Sequence, residues 1–304
     1  GYQTGLSVRQ HLKDENYRQN YLIRASIYEM TETQPRYLQT VEEGNIAYYG
    51  LILQAHPDPD LQGYLLRHNE QSLWEYQIGF NPTAEDSLLV MEGLLATDYD
   101  KSQLLTSMQC LIDIFYDEDD GAFHTVLEGR AAYWRGASID ATAQAGWMMQ
   151  QLDPEKYAPQ IRACADFIAA QMHETGVWES RWFASRYVPT FYAIRLLSCF
   201  DDRYARQLAK SEQFLLSSQE KSGAWQNSVI NTATAMLALH HLKSGQAAIE
   251  RGTTWLTSKK TPIGWMGEVI LYYWYDLNDG ERLFYHCTDK GQITSAWATL
   301  ALRL

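Results

Sequence analysis

Residues that interrupt helices are scarce in this chain. Only 8 of its 304 residues are proline, and no stretch is rich in proline, serine or glutamine, so neither a disordered tail nor a stiff linker is indicated. No apolar run reaches the ~18 residues that a membrane-spanning helix needs, and the start shows no signal-peptide pattern. Basic residues are outnumbered, 25 Lys and Arg against 37 Asp and Glu, for a net charge of −12. A nucleic-acid footprint needs a clustered basic face, so no nucleic acid is expected as a partner. The same acidic excess disfavours anionic lipid and leaves room only for transient membrane contact. The four cysteines, Cys110, Cys164, Cys199 and Cys287, show no CxxC or other metal spacing. They read as small buried thiols in a reducing, cytoplasmic setting. No alternating β pattern of useful length is seen, so almost no sheet is expected.

Aromatic residues are abundant: 10 Trp, 20 Tyr and 9 Phe in a chain that is 46% hydrophobic. A chain of this length can bury about three-quarters of its unfolded surface, enough for one large core, and a single domain over 1–304 is expected. Four segments share one grammar of polar turn, glycine and aromatic residue. They end at Phe123, Trp178, Trp225 and Trp265, from 40 to 55 residues apart, and a weaker copy ends at Trp74. Periods of this size mark a supersecondary unit that needs its neighbours to bury its face.

Each turn is followed by a helix with a Ser, Thr, Asn or Asp start: Thr83-Ala-Glu-Asp, Ser138-Ile-Asp-Ala, Val188-Pro-Thr, Ile230-Asn-Thr and Gln292-Ile-Thr-Ser. Such residues satisfy the free N–H groups of a first helical turn. Apolar residues then recur at helical spacing, as at Leu88, Leu89, Met91, Leu94 and Leu95. A second amphipathic helix lies before the next turn. Two helices per unit in five or six units give concentric rings: an all-α (α/α)6 barrel of about twelve helices.

The turn Gln219-Glu-Lys-Ser-Gly-Ala-Trp225 resembles the QW repeats of squalene-hopene and oxidosqualene cyclases, the class II terpene cyclases. Ser138-Ile-Asp-Ala-Thr-Ala, followed after a helix pair by Gly176-Val-Trp-Glu-Ser-Arg-Trp182, is similar to a longer stretch of the same family. Thr83-Ala-Glu-Asp-Ser87 stands where the family carries Asp-x-Asp-Asp-Thr. The resemblance runs from about Trp74 to the C-terminus and implies the catalytic barrel alone, as in single-barrel cyclases of bacterial meroterpenoids. It implies protonation-initiated cyclisation of a polyprenyl or prenylated small molecule, with no metal and no other cofactor. The departures are Thr83 for the first Asp, Glu85 for the central one, and Gln144 where the family places a histidine that supports the acid.

Protonating an unactivated alkene or epoxide requires a carboxylic acid held protonated in a dry pocket, with polar neighbours to stabilise the anion left behind. Glu85, Asp86 and Asp140 are the candidates, with helix capping as their ordinary alternative role. Successive residues lie about 100° apart on a helix, so one of Glu85 and Asp86 faces the cavity. Family register favours Glu85. Residue type favours Asp86, which we take first, with Asp140 as its partner. Aromatic faces stabilise a carbocation without attacking it. Trp74, Tyr76, Tyr133, Trp134, Trp178, Trp182, Tyr187, Tyr192, Trp265, Tyr273 and Phe284 are the cavity candidates, together with Gln144, and for any one of them core packing is the competing role. Arg181 could hold an anionic head group. The acidic turn Asp117–Asp120 reads as a solvated loop rather than a cation site. None of the cysteines has the Asp-x-Cys setting of a zinc prenyltransferase. Two other readings fit the composition: an α/α-barrel glycoside hydrolase or lyase, and a toroid that binds prenyl groups without catalysis.

Overall fold

The structure, a computed structural model, describes residues 26–28, 36–41, 46–69, 71–75, 81–125, 136–276 and 282–304, with backbone alone at 26–28, 36–41, 272–276 and 282–286. Eleven α-helices are found among the described residues. Six form an inner ring: α1 (Ile46–Ala55), α3 (Ala84–Leu95), α5 (Ile139–Leu152), α7 (Tyr187–Leu197), α9 (Val229–His241) and α11 (Gln292–Ala301). Each packs on the next, and α11 closes the ring on α1. Five lie outside them, each packed on the inner helix before it or on its neighbours: α2 (Pro59–Arg67), α4 (Lys101–Phe115), α6 (Ala158–Ala170), α8 (Ala205–Ser218) and α10 (Gln246–Lys259). The expected helical barrel is therefore present.

Composition explains the two rings. Inner helices are apolar on every face, as in α3 (Ala-Glu-Asp-Ser-Leu-Leu-Val-Met-Glu-Gly-Leu-Leu), where eleven of the twelve residues are buried, because both sides meet protein. Outer helices carry a narrower stripe; α8 buries only Ser211 and Leu215. Where α1 and α3 meet, Gly50 and Gly93 bring the backbones together. A Cβ on Gly50 would lie 2.2 Å from the Leu89 carbonyl oxygen, so no larger residue fits without moving a helix.

The repeated turns are clasps with a common chemistry. The indole N–H groups of Trp74, Trp178, Trp225 and Trp265 donate to the carbonyls of Leu65, Ile168, Leu215 and Leu256 at 2.8, 2.7, 2.8 and 2.8 Å. Each carbonyl lies in the last four residues of the preceding outer helix, where the regular helical donor is missing; Leu65 and Ile168 also accept the His68 and Gln171 amides at 3.2 Å. The backbone N–H of each aromatic residue donates to a hydroxyl on the next inner helix: Trp74 to Ser87, Phe123 to Thr142, Trp178 to Thr190, Trp225 to Thr232 and Trp265 to Ser295, all at 2.9–3.1 Å. In all five helices that hydroxyl is the fourth residue. The glycine of the turn is needed as well: Gly223 has φ 93°, and a Cβ there would lie 2.5 Å from the carbonyl oxygen of Arg251 on α10.

Besides the helices there is a small sheet that the sequence reading did not anticipate. Strands β1 (Ser26–Tyr28), β2 (Arg36–Val41), β5 (Val269–Asp276) and β6 (Arg282–Thr288) run in the order β1-β2-β6-β5, with only β2 and β6 parallel. A separate short hairpin, β3 (Tyr116–Asp117) with β4 (Ala122–Phe123), forms the second turn. Tyr, Trp, Phe and Ile favour a pleated strand, and the run Val-Ile-Leu-Tyr-Tyr-Trp-Tyr carries that preference without alternating. The β5–β6 hairpin is pinned at both feet. The Glu268 carboxylate accepts the Val229 and Ile230 amides at 2.6 and 3.1 Å and the Ser228 hydroxyl at 2.6 Å. Asp289 accepts the Thr294 amide at 2.8 Å and the Glu268 amide at 3.0 Å. Both carboxylates thus satisfy helix N-termini. No helix among the described residues is long and apolar enough to cross a membrane.

Replacing Trp178 by Phe removes one clasp and leaves the Ile168 carbonyl with the Gln171 amide alone, which should cost about 0.5–1.5 kcal/mol. Urea unfolding followed by circular dichroism measures it; a variant as stable as its parent would show that the indole is not a fastener.

Candidate active site

The clasped turns all lie at one end of the barrel, where the inner helices begin. At that mouth, the second residue of α3 is Glu85 and the second residue of α5 is Asp140; the matching positions of α7, α9 and α11 are Val188, Ile230 and Ile293. Two adjacent repeats therefore replace an apolar residue by a carboxyl group. Both are withdrawn from water, with Glu85 8% and Asp140 1% exposed.

Glu85 divides its two oxygens. Its Oε1 accepts from the Thr125 hydroxyl at 2.7 Å, the Ser138 hydroxyl at 2.6 Å and the Trp182 indole N–H at 3.3 Å, while Oε2, also buried, has no hydrogen-bond partner in the described protein. Ser138 doubles as the cap of α5, accepting the Ala141 amide at 3.2 Å. Asp140 Oδ2 accepts a short hydrogen bond from the Ser180 hydroxyl, and Oδ1 is buried without a partner. Burial raises the Asp140 carboxyl to about 7; the Ser180 bond opposes this, the nearby Glu85 adds to it, and Arg181 opposes it.

Asp86 lies one residue further on and does something else. The Thr83 hydroxyl accepts the Asp86 amide at 3.2 Å and donates a short hydrogen bond to Asp86 Oδ2. Thr83 is thus the N-cap of α3 and Asp86 is engaged at its own helix start, whereas Glu85 joins three elements.

The other candidates divide in the same way. Trp182 reaches Glu85 directly, and Arg181 acts on Asp140. Gln144 lies one turn below Asp140 on α5, with its Nε2 donating to the Asp140 carbonyl at 3.3 Å and its Oε1 unpartnered. Tyr192 on α7 is buried with an unpartnered hydroxyl, its ring against Phe183, Phe191 and Trp297. Trp74, Trp178 and Trp265 are the clasps already described, so their rings fasten the two helix rings rather than line a chamber. Tyr187 is likewise turned outward, its ring 5.6 Å from that of Phe214 on α8. Tyr76, Tyr133 and Trp134 lie outside the described residues, as do the side chains of Tyr273 and Phe284, whose backbones run in β5 and β6. The acidic turn folds on itself, with Asp117 Oδ1 accepting the Asp119 and Asp120 amides at 2.9 and 3.2 Å and His124 Nε2 lying 3.0 Å from Asp120.

Sequence reasoning missed Thr125 and Ser180, which carry no local signal. It also missed Glu92 and Arg195. These form a bidentate ion pair at 2.5 and 2.8 Å from α3 to α7, only 4% and 3% exposed, and the one charged residue of an otherwise uncharged α7 was the available sign.

No family model matches the chain. Over 122 residues, 35% of this chain, it is 32% identical to terpentedienyl-diphosphate synthase from Kitasatospora griseola, and the match spans 24% of that protein. In three dimensions it is similar to ent-copalyl diphosphate synthase from Streptomyces platensis, with a TM-score of 0.64 and 16% identity over 84% of this chain and 50% of that one. It is also similar to the type II terpene cyclase MstE from Scytonema, with a TM-score of 0.66 and 15% identity over 94% and 92% of the two chains. MstE has been solved with geranylgeranyl dihydroxybenzoate as its substrate. At such identities these likenesses establish the fold: the chain has the helical toroid of class II terpene cyclases, in agreement with the resemblance carried by its turns.

The raised Asp140 carboxyl makes stability depend on pH. Below about pH 4 the group is protonated whether folded or unfolded and costs nothing. As pH rises toward 7 the unfolded chain ionises while the folded one keeps its proton, so stability falls, by on the order of 4 kcal/mol in all, and then levels off. Asp140→Asn lacks this dependence. Denaturant unfolding of both proteins between pH 4 and 8 should show the parent losing stability relative to the variant; parallel curves would mean that Asp140 ionises normally.

Proposed function

We propose that this protein is a class II terpene cyclase that protonates the terminal alkene or epoxide of a prenylated small molecule and cyclises it through carbocations, with Glu85 as the acid. The division of labour between the two Glu85 oxygens carries the reading. Three donors on Oε1 stabilise the carboxylate that remains after proton transfer, as does the N-terminus of α3. Oε2, which none of them occupies, is free to hold the departing proton. Transfer breaks the Oε2–H bond and forms a C–H bond on an alkene, or an O–H bond on an epoxide as its C–O bond opens, leaving a tertiary cation for the chain's own double bonds to capture; loss of a proton or addition of a nucleophile ends the sequence. Asp140 keeps its proton to about pH 7, so it adds no second negative charge beside Glu85 at lower pH. Trp182 offers a ring at the point where the first cation forms.

Arg181 suits this acid layer better than a distant head group. A chain whose tail is protonated at Glu85 places its polar head a full chain length away, whereas Arg181 acts on Asp140. The binding of geranylgeranyl dihydroxybenzoate by MstE supports a prenylated aromatic acid as the first substrate to try. We take the barrel to work as one unit. A glycoside hydrolase would need its acid pair open to a polar groove, and Glu85 and Asp140 are closed off.

The test is incubation with geranylgeranyl dihydroxybenzoate and its terminal epoxide, with mass spectrometry and NMR for isomeric cyclic products. General acids contribute roughly 10²–10⁴-fold in ordinary enzymes. An alkene has no other route to a cation here, so Glu85→Gln should lose at least that much while Asp86→Asn continues to turn over. The reverse pattern would move the acid to Asp86, and unimpaired activity in both would remove it from this helix start.

A further inference from the structure

Glu268 does more at the mouth than close off a hairpin. Helix α9 has its own cap, since the Ser228 hydroxyl oxygen accepts the Asn231 amide at 3.1 Å, and α3 and α5 begin on caps of the same kind, Thr83 and Ser138. The Glu268 carboxylate adds three further bonds at α9, from the Ser228 hydroxyl and from the Val229 and Ile230 amides. Ile230 belongs to the layer of Glu85 and Asp140, so these bonds set the foot of β5 level with the two carboxyls.

Two residues further on, β5 takes hold of the segment between Trp178 and α7. The Ile270 carbonyl accepts the Ala184 amide at 3.0 Å, and Leu271 pairs with Phe183 as a β-bridge. That segment carries the groups that reach both carboxyls. The Ser180 oxygen accepts the Trp182 and Phe183 amides at 2.9 and 3.0 Å, which leaves its proton for Asp140 Oδ2. Trp182 donates its indole N–H to Glu85 Oε1 at 3.3 Å, and the Phe183 ring lies 6.2 Å from that of Tyr192. A chain of directional contacts therefore runs from the start of α9 through β5 to the carboxyl pair, two helices away around the ring.

We propose that Glu268 is a positioning residue for Glu85 and Asp140: it fixes β5, and β5 holds the 180–184 segment where its hydroxyl and indole donors meet the two carboxyls. The inference rests on the cyclase reading for its purpose, though not for the linkage itself. Released from β5, the segment moves off the carboxyls and lets water reach them. Asp140 reports that change. Its carboxyl is raised to about 7, chiefly by burial. Among the described residues its charged and titratable neighbours are Glu85 on α3, Arg181 on the segment and Tyr192 on α7. Loss of the Ser180 bond alone would raise the carboxyl further. Admitting water removes the larger effect, so the carboxyl falls toward the ordinary range.

Two variants cut the linkage at different points. Glu268→Gln exchanges one acceptor oxygen for an NH₂ group that faces the amides of α9. Ala184→Pro removes the N–H that binds β5, at an exposed position that follows the extended backbone a proline prefers before it. Trp225→Phe is the control, since it removes an indole bond beside the same helix start and leaves β5 untouched. The infrared carbonyl band of protonated Asp140, identified by its loss in Asp140→Asn, is titrated in each protein. Its midpoint should fall by about one pH unit or more in Glu268→Gln and Ala184→Pro, and stay in place in Trp225→Phe. With geranylgeranyl dihydroxybenzoate as substrate, the alkaline limb of the pH–kcat profile should move down by the same amount. A midpoint unmoved in either variant, or lowered as far in Trp225→Phe, overturns the proposal; if only one variant folds, that one decides. A lowered midpoint in a protein whose parent cyclises no prenylated arene keeps Glu268 as the anchor of the two carboxyls and removes the cyclase reading. Cyclisation by the parent with an unmoved midpoint keeps the cyclase reading and removes this role.

Discussion

Everything at the mouth of this barrel depends on one under-satisfied group: the carbonyl left without its regular helical donor at the end of an outer helix. An indole N–H fills it in four repeats, and the same residue's amide is taken by the fourth residue of the next inner helix. The first bond fixes where the outer helix stops; the second fixes where the inner helix starts. The two together set the depth at which every inner helix enters the ring. A leucine or phenylalanine could fill the space but could not satisfy the carbonyl, which is why the recurring residue is tryptophan.

That common depth turns a position in the repeat into a position in the site. The second residues of the inner helices all come to one layer, so two carboxyl groups meet simply because two neighbouring repeats carry Glu85 and Asp140 there, while Val188, Ile230 and Ile293 keep the rest apolar. Both sit on helix N-termini, whose free N–H groups favour the anion that an acid leaves behind. Burial works against that anion. At Asp140 burial wins, and the carboxyl is raised to about 7.

The parts of this arrangement that repeat were legible in the sequence, and the parts that occur once were not. Trp178, Trp225 and the Ser138 start announced themselves by period, and the ring of helices followed. Their roles did not follow, because a tryptophan that fastens two helices and one that does not have the same neighbours in sequence; among the described tryptophans, Trp182 proved to reach Glu85. Thr83-Ala-Glu-Asp86 held a further clue. A threonine at the N-cap can engage a carboxylate three residues on at the helix start, which is what Thr83 does with Asp86. The β5–β6 hairpin was hidden for a different reason: its run from Val269 to Tyr275 has strand-forming residues but no alternation, and aromatic residues near a turn suggested a cavity wall. Thr125 and Ser180 come from loops whose path only the assembled barrel determines.

The Glu92–Arg195 pair shows why a barrel with so apolar an interior carries charge at all. Taking two ions out of water costs several kcal/mol each, and their attraction roughly offsets it, so such a pair is weak evidence for stability. Its geometry matters more. It joins α3 to α7, the two helices that flank α5 in the ring, and the guanidinium lies 3.8 Å from the ring centre of Trp147 on α5 itself. His241, pushed down to about 4 by burial first and then by Arg195, stays neutral and does not compete for Glu92. The three helices that carry Glu85, Asp140, Gln144 and Tyr192 are therefore fastened twice, by the turns above the acid layer and by this ion pair below it. Directional bonds at both ends hold the helices in register, which non-directional apolar packing between them would not do.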